Sequence, residues 1–250
     1  MRQSNKVALV AALAIAWSTT APARADDPPT GVPNAYAGAQ LLVISGVHRD
    51  SGVNQYGLGA GPLVQARAGG RGLAVHLEGI PVVSIPARPS AKYGQATPSL
   101  GIVNSEIEVA VDPRARLWAG AGMSLYNQRT PLPAISQVVS SRLIGVRYAL
   151  RYRSPLHDRQ FVEGTIGASP TITGTDHYLY SDGVTPAVNK DERASEIDAS
   201  LAFGIRRGSS EWLLGVRTLN FSAHFVKDGS PADRNVGTGL LFEWRHVIRQ

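Results

Sequence analysis

The 250-residue chain contains no cysteine. That excludes disulfides, thiolate metal sites and an anchor built on a lipid-modified cysteine. Long apolar runs are missing too: beyond Asp26 nothing approaches the roughly 18 consecutive apolar residues of a transmembrane helix, and helix signals are scarce throughout. No metal-ligand spacing, phosphate-cradling glycine pattern or nucleophile elbow is present. Strong charge is also lacking. The formal +6 falls to +3 when Arg2, Lys6 and Arg24 are set aside with the N-terminal segment described next, too mild to point to nucleic acid. No cofactor and no metal are expected.

What is present begins with MRQSNKVALVAALAIAWSTTAPARA, residues 1–25: a basic opening, an apolar run from Val7 to Trp17, and the small-x-small triplet Ala23-Arg24-Ala25. These are the parts of an export signal peptide with cleavage expected after Ala25. The apolar run is too short to cross a bilayer as a helix. An exported chain without disulfides needs another source of stability, and a sheet closed on itself supplies one.

The rest of the chain repeats one pattern, strand-length alternation broken by clusters of Gly, Pro, Asp, Asn and Ser. Ten segments are predicted, at 36–48, 60–68, 73–80, 99–111, 115–126, 139–153, 160–171, 194–206, 211–225 and 235–248. The links between them alternate. Tight turns lie at Gly69–Gly72, Asp112–Arg114, Ser154–Arg159 and Arg207–Ser210; longer links run over Arg49–Leu58, Pro81–Pro98, Asn127–Val138, Ile172–Arg193 and Val226–Arg234. Short turns at one end and long loops at the other fit an up-and-down barrel with an even strand number.

Each segment has two faces, as period-2 geometry requires. In SEIEVAVD, Ile107, Val109 and Val111 oppose Glu106 and Glu108. In SEIDASLAFGI, Ile197, Leu201 and Phe203 oppose Glu196 and Asp198. In RLIGVRYALRYR, Ile144, Val146, Tyr148, Leu150 and Tyr152 oppose Arg147, Arg151 and Arg153. Period 2 does not say which face points inward. Small residues beside Glu106, Glu196, Arg147 and Arg217 favour a crowded charged interior. Tyr152, Trp212 and Trp244 fall on apolar faces near the tight-turn ends, where amphipathic aromatics form the girdle of a membrane barrel. A soluble periplasmic ligand-binding barrel would have the opposite polarity.

The stretch NVGTGLLFEWRHVIRQ resembles the C-terminal assembly signal of outer-membrane β-barrel proteins, carried here by Asn235, Gly237, Leu240, Phe242 and Trp244. It departs from that pattern by continuing past Trp244 through RHVIRQ. The resemblance is at the level of the class and spans residues 36–250. It implies an all-β, antiparallel transmembrane up-and-down barrel of about ten strands, between eight and twelve. It also implies outer-membrane location, contact with outer-membrane lipid and recognition by the barrel assembly machinery. The domain reading is a signal peptide at 1–25, a short periplasmic segment at 26–35 and the barrel at 36–250, expected as a monomer.

Glu106, Glu108, Arg147, Arg151, Glu163, Glu196, Asp198 and Arg217 are expected to line the lumen, and at ten strands side chains should plug or narrow it. Catalysis has few candidates. Ser222 and His224 share a face of one segment and could serve nucleophilic hydrolysis if a carboxylate such as Asp176 or Asp233 joined them, as in lipid A deacylases. His76 and Glu78 share a face and could form an acid/base pair. An omptin-like protease would draw on loop residues such as Asp50, Asp176, His177, Asp182, Asp228 and Asp233. The leading expectation is a structural or interaction role carried by the longer loops, with limited solute passage, and no enzymatic activity; the alternative is an outer-membrane hydrolase of either type.

Overall fold

A strand with one apolar and one charged face is stable only where each face meets a matching environment, and ten such strands meet that demand by closing on themselves. The computed structural model describes residues 31–33, 35–50, 53–70, 72–86, 99–180, 182 and 184–249; the side chains of 44–64, 80–86, 233–235 and 249 are outside that description. The signal-peptide segment lies outside it as well.

The strands are β1 (Ala35–Asp50), β2 (Val53–Gly69), β3 (Leu73–Pro86), β4 (Ser99–Ala110), β5 (Leu117–Leu132), β6 (Gln137–His157), β7 (Gln160–Tyr180), β8 (Val188–Arg207), β9 (Ser210–Phe225) and β10 (Pro231–Arg249). Every neighbour pair is antiparallel, and β1 pairs with β10 to close the barrel. At the tight-turn end, β6–β7 and β8–β9 are joined through Asp158-Arg159 and Gly208-Ser209, with Asp158 at φ 43° and Gly208 at φ 61°. Two-residue hairpin turns need that left-handed conformation.

The links predicted as long loops are mostly strand. β7 continues to Tyr180 and β8 begins at Val188, so Ile172–Arg193 is a paired hairpin with its tip at 181–187. β1 and β2 pair as far as Asp50 and Val53, and β5 reaches Leu132 before one 3-10 turn, Pro133–Ile135, leads into β6. Of the link predicted at Pro81–Pro98, the first residues belong to β3 and 87–98 lie outside the described residues. The reason for the difference is physical. Alternation is legible only where the two faces differ consistently, and beyond the apolar band both faces of β7 are mixed, with Thr173, Thr175, His177 and Leu179 outward and Ile172, Asp176 and Tyr178 inward. β6 and β7 have 21 residues each, about twice the 9–11 that a tilted membrane strand requires.

The polarity is inverted relative to a soluble barrel. Large apolar side chains stand exposed on the outside, Ile107 at 59%, Leu201 at 57%, Leu214 at 61% and Leu240 at 64%, whereas Glu108, Arg147 and Asp198 are each 1% exposed inside. Soluble monomers rarely expose continuous apolar surface on this scale.

Near the tight turns, Gly31–Pro33 are buried against the barrel end. Val32 N donates to Ala115 O at 3.1 Å, Val32 packs with Trp118 and Ala74, and Pro33 O accepts from Arg67. Farther along the lumen, past the charged level, lies an apolar layer of Leu42, Ile102, Tyr126, Leu143, Ile172 and Phe221. Tyr126 and Phe221 stack across it with ring centroids 4.0 Å apart.

Candidate functional site: the charged lumen

Inward positions recur at every second residue of each strand, so charges far apart in sequence meet across the lumen. Of the seven buried guanidinium groups among the described residues, those of Arg67, Arg147, Arg151, Arg153, Arg217 and Arg245 face eight of the ten buried carboxylates, on Glu78, Glu106, Glu108, Glu163, Glu196, Asp198, Glu211 and Glu243. Near balance is what makes such burial tolerable, because an unpaired charge in low dielectric is very costly.

Two linked groups form. In the first, Glu163 on β7 receives Arg153 at 2.7 Å, Arg245 at 2.7 Å and Arg151 at 3.3 Å. Arg153 also pairs with Glu211 at 2.8 Å, Arg151 with Glu108 at 3.3 Å, and Glu108 with Arg67 at 2.7 Å. Arg245 binds Glu243, which accepts hydrogen bonds from Gln65 and, at 2.7 Å, from Gln40. In the second group, Arg147 joins Glu106 at 2.6 Å and Asp198 at 2.7 Å, and lies 3.9 Å from Glu196. Arg217 joins Asp198 at 3.0 Å and Glu78 at 2.6 Å. His76 connects the groups, 3.2 Å from Glu106 and 3.2 Å from Arg151.

Aromatic faces complete the site. Arg67 lies over Trp118 at 3.9 Å, Arg153 over Phe161 at 3.8 Å and Arg245 over Tyr36 at 4.6 Å, contacts that attract a guanidinium electrostatically. Two glycines provide the room. A Cβ on Gly167 would collide with the Arg147–Asp198 pair, and one on Gly204 with the Phe161 ring. The space left at the centre is about 20 Å3, enough for about one water.

All eight residues expected in the lumen are buried there. His76 and Glu78 also point inward, but they bind across the lumen rather than to each other: His76 to Glu106 and Arg151, Glu78 to Arg217 and to Asn104 at 3.3 Å. Ser222 and His224 are not inside. The buried residues of that stretch are Phe221 and Ala223, so Ser222 and His224 take the outward face shared with Leu214 and Val216. Asp176 is buried inside while His177 is exposed, 2.7 Å from Asn189, so adjacent positions place these two on opposite faces. Asp182 and Asp228 are exposed at hairpin tips, where the hydroxyls of Thr185 and Ser230, joined by backbone N–H donors from Thr185 and Val184 and from Ser230, hold their carboxyls below the usual range. The side chains of Asp50, Asp233 and Asn235 lie outside the described residues.

Among the described residues, one metal-like grouping is found: ligand atoms of His76, Glu106 and Glu108 lie within 4.8 Å of one another. Both carboxylates are already bound by arginines, so a cation there would have to displace them.

Tyr152, Trp212 and Trp244 are exposed at 48%, 46% and 37%. Trp212 and Trp244 are register partners with ring centroids 6.3 Å apart. Along β10, Gly237 is buried and Leu240, Phe242 and Trp244 face outward. The residues past Trp244 continue the strand: Arg245 pairs with Gly38, His246 with Ala37 and Val247 with Tyr36. Sequence reasoning missed Arg67, Glu211, Glu243, Arg245 and Trp118. The signal for Glu243 and Arg245 was the alternation of Leu241, Glu243, Arg245 and Val247 against Phe242 and Trp244.

No protein-family model and no curated protein matches the chain. Among solved structures it is similar to the outer membrane protease OmpT from Escherichia coli, with TM-score 0.51 and 8% identity, covering 92% of this chain and 99% of that one. The beta domain of the Bordetella autotransporter BrkA aligns at TM-score 0.42 and 13% identity, covering 86% and 99%. The Ralstonia pickettii toluene transporter TbuX aligns at TM-score 0.36 and 8% identity, covering 92% and 96%. At these identities the likeness concerns architecture, and the architecture is that of a bacterial outer-membrane β-barrel closed from ten antiparallel strands.

Proposed function

We propose that the chain is an integral outer-membrane barrel whose lumen is sealed by its own side chains and whose role is structural or interactive, exercised from the strand extensions beyond the apolar band. The observation that carries this reading is the inverted polarity, with apolar side chains exposed outside and paired charges buried inside. Outer-membrane lipid and the barrel assembly machinery are the partners that the reading requires. Export through cleavage after Ala25 belongs to it as well.

Solute passage has weaker support. The charged level has about 20 Å3 of free space at its centre, and an apolar layer at Tyr126 and Phe221 lies past it; both weigh against the passage of solutes. OmpT is a protease, but the outward positions of Ser222, His224 and His177 give no support to hydrolysis here. The reading is tested by membrane fractionation combined with heat-modifiable gel mobility. A detergent-dependent protein that migrates faster unheated than boiled supports it; a mature protein freely soluble without detergent overturns it.

A further inference from the structure

The outer surface carries a groove with no role in sealing the lumen. Met123 on β5, Ile144, Val146 and Tyr148 on β6, and Pro170 and Thr171 on β7 line a hollow of about 480 Å3. It lies at an irregularity of the sheet. The β6–β7 ladder shifts register between Gly145 and Tyr148, and the β7–β8 ladder between Ser169 and Ile172. Such bulges bend the strand and re-aim side chains, and here Pro170 and Thr171 are both exposed.

One register step beyond this groove, towards the hairpin tips, the outer face changes chemistry. Leu125 pairs with Ile144, the next outward pair is Asn127 with Arg142, and the next is Arg129 with Ser140. On its other side Arg142 pairs with Thr175. Every inward arginine of β6 has a carboxylate partner. Arg129 and Arg142 are exposed, and neither guanidinium has an ion-pair or hydrogen-bond partner among the described residues. Outward positions of β5, β6 and β7 beyond the groove hold no carboxylate. Asp191 on β8 accepts a hydrogen bond from Thr175 Oγ1 at 3.3 Å.

We propose that this is a binding site for a phosphate-bearing acylated lipid, with an acyl chain in the groove and the phosphate on Arg129 and Arg142. The inference rests on the membrane reading above. Planar guanidinium groups match phosphate oxygens in two-point contacts, and basic side chains at the headgroup level favour anionic lipids. The apolar hollow supplies packing for the chain, and the change at Asn127–Arg142 sets the height of the headgroup.

The test uses the full chain folded in non-ionic detergent, with heat-modifiable mobility as the check on folding. Native mass spectrometry then compares dioleoyl phosphatidic acid, dioleoylglycerol and inorganic phosphate as probes. Wild type is expected to retain phosphatidic acid, and Arg129→Gln with Arg142→Gln to weaken retention by about tenfold to thirtyfold, at ~1 kcal/mol per basic residue. Dioleoylglycerol and inorganic phosphate, each offering half of the ligand, should be retained poorly. Val146→Trp, which fills the groove and leaves both arginines, should also weaken phosphatidic acid. Equal retention by wild type and the double arginine variant overturns the proposal, as does failure of folded wild type to retain phosphatidic acid. A protein without heat-modifiable mobility overturns the membrane reading instead.

Discussion

Replacing Glu163 by glutamine keeps the side chain's size and removes its charge. Glu163 is 3% exposed and is approached by three guanidinium groups, Arg153 and Arg245 at 2.7 Å and Arg151 at 3.3 Å. In the variant each arginine keeps one acid, Glu211 for Arg153, Glu243 for Arg245 and Glu108 for Arg151. The loss is therefore of compensation rather than of all partners. Breaking a buried pair by removing one member costs about 3–5 kcal/mol, and the retained acids place Glu163→Gln near 3 kcal/mol, the lower end of that range. The assay is urea unfolding of the protein folded in detergent micelles, followed by tryptophan fluorescence, with the midpoint and slope compared with wild type. Asp158→Asn is the control. It removes a charge from the His157–Asp158 pair, separated by 3.2 Å but with side chains 81% and 77% exposed, and should leave the midpoint unchanged. Adding Arg245→Gln to Glu163→Gln should cost less than the sum of the two single changes, because the second removes a cation that the first left in excess. A Glu163→Gln effect no larger than that of Asp158→Asn would refute the reasoning.

Other perturbations probe other parts of the structure. Gly167→Ala places a Cβ against the Arg147–Asp198 pair and should cost about 1–3 kcal/mol by overpacking, read in the same urea titration. Phe221→Ala removes a ring stacked on Tyr126 at 4.0 Å and should cost about 3–5 kcal/mol, without opening a conductive path, since the charged level remains. Asp112 accepts backbone hydrogen bonds from Leu117 at 2.6 Å and Arg116 at 2.7 Å, which hold its carboxyl below the usual value. A depressed folded-state pKa stabilises above the unfolded value of about 3.9 and is lost as pH falls through the folded value. Asp112→Ala should therefore be less stable than wild type at neutral pH, with the gap closing below about pH 3.9, measured by thermal unfolding across that range.

Much of this architecture was legible in the chain because a barrel wall is a repeated two-face pattern. SEIEVAVD and SEIDASLAFGI disclose strands and their charged faces directly, and the tight turns disclose the connectivity. The strand extensions did not show, since neither face of this part of β7 keeps one polarity: Thr173, Thr175, His177 and Leu179 lie outside, and Ile172, Asp176 and Tyr178 inside. Cross-lumen partners did not show either. Arg245 and Glu163 are 82 residues apart, and only the closure of β10 onto β1 brings their strands to face each other. RHVIRQ looked like an overrun of the terminal pattern, but its first residue, Arg245, is one of the three cations on Glu163 and its strand pairs with β1 to Arg249. Ser222 and His224 share one face, and the burial of Phe221 and Ala223 shows that face to be the outer one.

The central claim is an inverted barrel sealed by its own charges, and ion conductance across a planar bilayer tests it most directly. With the folded protein inserted, as checked by heat-modifiable mobility of the recovered material, the account predicts no steady current above that of the bare bilayer. A reproducible ohmic conductance would contradict it, because ions would then be crossing the level where Arg147, Asp198, Arg217 and Glu78 are paired.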